Sequence, residues 1–368
     1  MLSQLVRKRN SSVVSVISLG LVVVLVSASC SGASPETVAP DSTVADVSST
    51  TITETTMTTV TTIPIVRAPL TGAAAPDETV LQRPAMVVKI DNHLRARPQW
   101  GLNQADIVFE ENVEQLTRFA AVFHSQGSDP VGPIRSGRLQ DINLLGSLSH
   151  PLFVWSGGNQ KVTAEIRKSW LVDLSHSVAN ERGGYRREPS RSAPHDLLAE
   201  TTKLWLLAPP DAQPPLPQFE YRADTETVTT NSKPAGAVKI SMDGVKVMWE
   251  WSPDLLTFVR SQDDKPHVDM QDVRINAQNV VVISVVYTKS GSSPVAKSVG
   301  SGEAWIYTAG VLVQGTWERL DPQKTFTFKD TTGAVIKLSP GRTWVEVIRA
   351  KSAAHIAPGV DPATIKYP

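Results

Sequence analysis

Met86-Val87-Val88-Lys89-Ile90-Asp91-Asn92 is the stretch on which the fold turns. Its first five residues are apolar on both faces apart from one lysine, the pattern of a strand buried on both sides, and Asp91-Asn92 supply the turn-forming pair that ends it. Three more segments of this kind follow: Asp106 to Glu110, Phe119 to Phe123, and Leu152 to Trp155, the last closed by Ser156-Gly157-Gly158. Between them, Leu139 to Leu148 and Gln160 to Trp170 carry apolar residues at helical spacing, including Val162, Ile166 and Trp170. Strands alternating with helices predict an α/β layer domain over residues 67–205.

Working outward, a proline-rich stretch through Pro209-Pro210, Pro214-Pro215 and Pro217 reads as a linker, residues 206–218. Beyond it the helical period disappears. Short β-prone segments, punctuated by Gly, Pro and Asp, run at 237–242, 246–251, 255–260, 280–288, 304–308, 325–329, 335–338 and 343–348. These predict a mainly antiparallel β domain over residues 219–368. The expected whole is an α+β two-domain protein: an N-terminal α/β layer domain, then a mainly antiparallel β domain, as separate structural units.

Toward the N-terminus, residues 30–66 are mostly Ser, Thr, Ala, Val and Pro, with no aromatic residue. Such a segment cannot bury enough surface to offset its ordering entropy, so a disordered tether is expected, with threonines open to glycosylation. A flexible coil of this length spans about 30–35 Å. Ahead of it, Arg7, Lys8 and Arg9 precede an apolar run from Val13 to Val26, and Ser27-Ala28-Ser29 lead to Cys30. That is the layout of a bacterial lipoprotein signal peptide, residues 1–29, with cleavage before Cys30 and fatty acylation (palmitate) of its sulfur. An uncleaved anchor is the competing reading, but the run is short of the roughly 20 residues a bilayer needs. Ser27 departs from the Leu, Val or Ile usual three places before the lipidated cysteine.

Composition narrows the function classes. The chain has 36 basic and 36 acidic residues; setting aside Arg7, Lys8 and Arg9 leaves 33 basic against 36 acidic beyond the leader. That balance gives no global attraction to nucleic acid. Cys30 is the single cysteine, which excludes intrachain disulfides and zinc sites with two or more thiolates. Histidines are dispersed without a His-Glu-x-x-His pair, so no metal and no cofactor is expected.

Polar residues concentrate between Asp91 and Arg138. Gly132-Pro133-Ile134-Arg135-Ser136-Gly137-Arg138 places two guanidinium groups around a Ser-Gly pair just ahead of a helix, chemistry suited to a phosphate or carboxylate; internal pairing of Arg135 and Arg138 with nearby acids is the equal alternative. It lacks the Gly-Lys-Ser/Thr ending of a P-loop. With Asn92, Thr117 and Arg118, the residues Arg135, Ser136 and Arg138 form the candidate ligand site. Asp91, Glu110 and Glu114 are weak candidates for the acid and base of glycoside hydrolysis, where carboxylate separation sets the mechanism, although paired or solvated carboxylates are commoner. His195 is a weak candidate general base, oriented by Asp196 or a distant carboxylate, with Ser136 the imaginable nucleophile; a histidine bracing its loop is commoner. Trp317 and Trp344, if exposed, could stack on a sugar, though core filling is the commoner use of such residues.

Taken together, Arg97-Pro98-Gln99, Ala105-Asp106-Ile107-Val108, Glu110, Glu114, Thr117-Arg118 and Gly132 to Ser136 with Arg138 resemble the YerB-like bacterial lipoproteins. Pro194-His195, Arg260, Pro266-His267 with Asp269, Asn279-Val280, Gly315-Thr316-Trp317 and Gly341 with Thr343-Trp344 extend the likeness to about Val347. Phe258 stands where Tyr is expected and Asp196 where Asn is expected. The resemblance implies an exported lipoprotein with paired domains of unknown function, and brings no activity with it. Two functions therefore stand side by side. One is a lipid-anchored envelope protein on the extracytoplasmic face, binding an anionic or saccharide cell-wall component and no nucleic acid. The other is an extracytoplasmic hydrolase of wall polymers.

Overall fold

The 86–92 segment forms β1 (Met86–Asp91), with all six residues buried. It lies in a computed structural model that describes residues 65–368 except Asp224 and Ser292. The leader, Cys30 and nearly all of the tether fall outside the described residues.

The N-terminal half continues as β2 (Ile107–Val113), β3 (Leu116–Phe123), α1 (Leu139–Leu144), β4 (Leu152–Val154), α2 (Gln160–Lys168), β5 (Val172–Asp173), α3 (His176–Ala179), β6 (Tyr185–Arg187), β7 (Leu197–Ala199) and α4 (Thr201–Trp205). The C-terminal half supplies β8 (Lys233–Pro234), β9 (Ala237–Met242), β10 (Val245–Ser252), β11 (Thr257–Gln262), β12 (Lys265–Pro266), β13 (Asn276–Ala277) and β14 (Asn279–Ser284). It ends with β15 (Tyr287–Ser290), β16 (Ser293–Ala296), β17 (Gly300–Thr308), β18 (Val311–Arg319), β19 (Thr327–Asp330), β20 (Thr343–Ile348) and β21 (Ala353–Ile356). The α+β class with two domains in sequence holds, and most strand pairs are antiparallel.

Separateness of the two halves does not hold. One sheet runs β19-β18-β17-β14-β20-β2-β3-β1-β4-β5, with β8 added on β18. Its seam is the parallel pair β2–β20, from Ile107 opposite Thr343 to Glu111 opposite Val347. Both strands are buried along their whole length, so each needs a neighbour on its open edge, and each supplies the other's. The proline-rich segment is docked rather than free: the Ser147 hydroxyl donates to Gln218 Oε1 at 2.6 Å, and Gln218 Nε2 donates to Ser147 O at 3.1 Å.

A second sheet, β12-β11-β10-β9-β21 with β13 on β11, covers one face of the shared sheet. Trp249, Phe258 and Val247 pack there with Val88, Ile90, Phe119 and Trp344. Helices α1 and α2 cover the other face, where Leu144, Val162 and Ile166 meet Val87, Phe109 and Ala120. Trp317 and Trp344 are core residues, each 2% exposed, which removes them as sugar-stacking platforms. The 335–338 segment forms bridges at Val335 and Leu338 rather than a strand.

Candidate functional site

Strand alternation sends neighbouring residues of β1, β2 and β3 to opposite faces, and this divides the polar residues into two assemblies. Lys89, Asp91, Glu111 and Arg118 share the helix-covered face with Val87, Phe109 and Ala120. Glu110 and Thr117 share the other face with Val108 and Phe119.

On the helix side, Asp91 ends β1 opposite Arg118 of β3. Its Oδ2 accepts from His195 Nδ1 at 2.7 Å and lies 3.1 Å from Arg135 Nε, while Oδ1 accepts from His93 N at 3.0 Å. The Arg135 contact is an ion pair without an aligned hydrogen bond. His195 stacks on His93, ring centroids 4.4 Å apart, and Asp91 engages its Nδ1, which leaves Nε2 as the ring nitrogen not held by that carboxylate. Asp196 is not its orienting partner; that carboxylate takes Arg187 at 2.6 Å.

The arginine loop lies alongside. Arg138 forms a two-pronged pair with Glu114, Nε to Oε1 at 3.2 Å and Nη2 to Oε2 at 2.8 Å. Burial works to raise Glu114, but hydrogen bonds from Arg138 and Ser293 outweigh it and bring the carboxyl down to about 2. Arg118 is different. It is 7% exposed, its Nη1 donates to Ser136 O at 2.9 Å, and no carboxylate pairs with it among the described residues. Burial, then the charges of Arg138 and Arg135, depress it to about 10.

The helix N-terminus expected to face an anion is not available at α1. Asp141 reaches back from inside that six-residue helix to Arg138 N at 2.6 Å and occupies it. Instead the N-terminus of α2, reached through Ser156-Gly157-Gly158-Asn159, borders the loop. Ser156 N donates to Arg135 O at 3.0 Å and Gly137 N to Gly157 O at 3.2 Å. Glycine is required at 137 because a Cβ there would sit 2.9 Å from Trp155 Cε3 and 3.0 Å from Ile166 Cδ1. Ser136, Arg138, Glu114, Gly157, Gly158 and Asn159 wall a cleft of about 400 Å³.

Behind this surface, Lys89, Glu111 and Asp141 form a fully buried triad, Lys89 Nζ bonding Asp141 Oδ1 at 2.8 Å and Glu111 Oε1. Burial, reinforced by Asp141, pushes Glu111 up to about 8 against the pull of Lys89.

The opposite face carries an assembly that joins the two domains. Arg260 of β11 pairs with Glu110 of β2 at 2.7 Å, both side chains wholly buried. Its Nη1 also donates to Gln262 Oε1 at 2.8 Å and His267 Nδ1 at 2.6 Å. His267 therefore carries its proton on Nε2, which donates to Gln99 Oε1 at 2.9 Å; burial first, then Arg260, holds it neutral. Thr117 Oγ1 donates to Glu110 at 2.6 Å and accepts from Asn92 Nδ2 at 2.6 Å. Glu346, opposite Glu110 across the seam, accepts from Trp249 Nε1 at 2.7 Å. Burial and the Glu110 charge raise its carboxyl well above the usual range.

These placements sort the expected site residues. Asp91, Arg118, Arg135, Ser136, Arg138, Glu114 and His195 gather on one side. Asn92, Thr117 and Glu110 do not join them: they are sealed into the domain junction, and Glu110 is fully committed to Arg260 and Thr117, which removes it as a surface acid or base. Asp91, Glu110 and Glu114 each face an arginine, so these three supply no free carboxylate pair.

Residues 70–211 match the family described as protein of unknown function (DUF3048), N-terminal domain, and residues 237–345 match its C-terminal domain. The chain belongs to this YerB-like family. YerB of Bacillus subtilis (strain 168), named as a candidate lipoprotein, is 28% identical over 312 residues, 80% of this chain and 89% of YerB. The crystal structure of the B. subtilis YerB protein matches with a TM-score of 0.68 at 22% identity, covering 79% of this chain and 99% of that one, a likeness of fold. Residues that carry the YerB-like resemblance from both domains, Gln99, Glu110, Thr117, Arg260 and His267, meet in the junction assembly. The sequence alone does not bring this assembly together, because its members lie up to 168 positions apart; the presence of Arg260 and His267 among the residues of the resemblance is the one signal of it in the sequence.

Proposed function

We propose that the protein is a lipid-anchored envelope protein on the extracytoplasmic face whose N-terminal domain binds an anionic cell-wall component at Arg118, Arg135, Ser136 and Arg138. The observation that carries this reading is Arg118. Three guanidinium groups meet two carboxylates, Asp91 and Glu114, and Arg118 is the one left without an acid. Asp91 and Glu114 act on it only from beyond contact distance, and a buried cation with no carboxylate in contact is costly unless an anion completes it. The anchor is supported by the layout before Cys30 and by the name given to the YerB relative.

Calorimetric titration with inorganic phosphate and with purified anionic wall fragments tests the site. Arg118→Ala is expected to weaken binding about tenfold, the loss of one charge-assisted contact, with circular dichroism unchanged. Affinity indifferent to Arg118→Ala and to Arg135→Ala with Arg138→Ala refutes it. For the anchor, metabolic labelling with a palmitate analogue is expected to vanish in Cys30→Ala.

One geometric feature favours a second reading, hydrolysis of a wall polymer: the Asp91–His195 bond, in which a carboxylate orients an imidazole through Nδ1, the arrangement a general base needs. Turnover of wall fragments lost in His195→Gln, with fragment binding retained, supports it; absence of turnover by the native protein refutes it.

A further inference from the structure

The cleft beside Ser136 does not end at Arg138. A second cleft of about 290 Å³ adjoins it, sharing Arg138, Asn159, Val162 and Ser293 and adding Lys161, Ser290 and Gly291. Lys161 is exposed and makes no ion pair among the described residues. Glu114 is the sole carboxylate in either wall, and Arg138 already neutralises it.

Between the two clefts the backbone presents donors. From Gly157 to Lys161, five consecutive N–H groups have no acceptor among the described residues. Asn159 caps α2 through Val162 N at 2.9 Å and so leaves the earlier donors free. Gly157, at φ +99° with open space around it, turns the chain where this run begins, and Gly157, Gly158 and Asn159 line the groove. The groove is therefore lined by Arg138, then the α2 N-terminus, then Lys161, and Arg118 is bonded to the carbonyl of the lining residue Ser136. No aromatic side chain lines either cleft, so nucleobases find no platform to stack on.

Resting on the anion-binding reading above, we propose that the joined clefts bind a flexible chain of repeated phosphate groups, one group at the arginine cluster and a following group at Lys161, rather than a single small anion. A lone phosphate fills the first position only. A chain occupies both, the second contact forming at the high effective concentration set by the first.

The test is calorimetric titration of the purified full-length protein with orthophosphate, with linear polyphosphate of about 20 units at equal phosphate concentration, and with an oligothymidylate of the same number of phosphates. Expected is about tenfold tighter binding per phosphate for polyphosphate than for orthophosphate, a gain that Lys161→Ala largely removes. Lys168→Ala, an equal charge change at the far end of α2, leaves the gain in place. Loss of the gain to the same degree in both variants, or no gain at all while orthophosphate still binds, overturns the two-position proposal and spares the anion site. Failure of all three probes to bind overturns both. Oligothymidylate binding as tightly as polyphosphate overturns the restriction to chains without bases.

Discussion

Replacing Arg260 by methionine removes a guanidinium that is wholly buried at the seam between the domains and keeps most of its volume. The native side chain holds Glu110 at 2.7 Å, donates to Gln262 at 2.8 Å and His267 at 2.6 Å, and lies 5.2 Å from the Trp344 ring. After the change Glu110 keeps Thr117 and Asn92, but no cation offsets its charge, and Glu346 stands beside it. Breaking one side of a buried ion pair costs about 3–5 kcal/mol. In a chain of this size that lowers the melting temperature by on the order of 10 °C. Urea denaturation followed by tryptophan fluorescence reads the loss. Adding Glu110→Gln to Arg260→Met is expected to recover about half, because the amide needs no counter-charge. A single-variant loss below about 1 kcal/mol, the worth of an exposed pair, or no recovery in the double variant, refutes the assignment of Arg260 as the charge that holds the seam.

Two further outcomes follow from the helix-covered face. Glu111 is held up at about 8 against an ordinary value of 4.5, so the folded protein keeps a proton that the unfolded chain releases; its contribution to stability is full below about pH 4.5 and falls as pH rises to about 8, with a limiting slope of about 1.4 kcal/mol per pH unit. Glu111→Gln should flatten urea-derived stability across that window, and an unchanged profile would contradict the buried triad as its source. Gly137→Ala pushes a methyl against Trp155 and Ile166 and should cost about 1–3 kcal/mol; urea stability equal to that of the native protein would show that the loop is not packed as described.

Much of this architecture was legible because burial writes itself into local pattern. The strands at 86–91, 237–242 and 343–348 and the helix starting at Gln160 stand where apolar periodicity places them. Which strand lies beside which was not legible. β2 and β20 read alike as two-sided buried runs, and nothing in either names a partner 236 positions away; the proline-rich segment between the halves suggested separation, while its Gln218 in fact anchors to Ser147.

The candidate site shows the same division. The cluster of Asp91, Arg118, Arg135 and Arg138 was visible as a density of charge along the chain, since its members come from strand ends brought together within one domain. Glu110 and Glu111, adjacent in sequence, looked interchangeable. Period-two alternation sends one to Arg260 in the other domain and the other to Lys89 beneath the arginine loop, so a one-residue shift in register exchanges a domain seam for a support of the ligand cleft. Charge density along a sequence therefore locates a polar region, but which face each carboxylate serves is settled by strand register, and register is fixed here by the β2–β3 hairpin that turns at Glu114-Gln115, while β20 from the other domain decides what the Glu110 face meets.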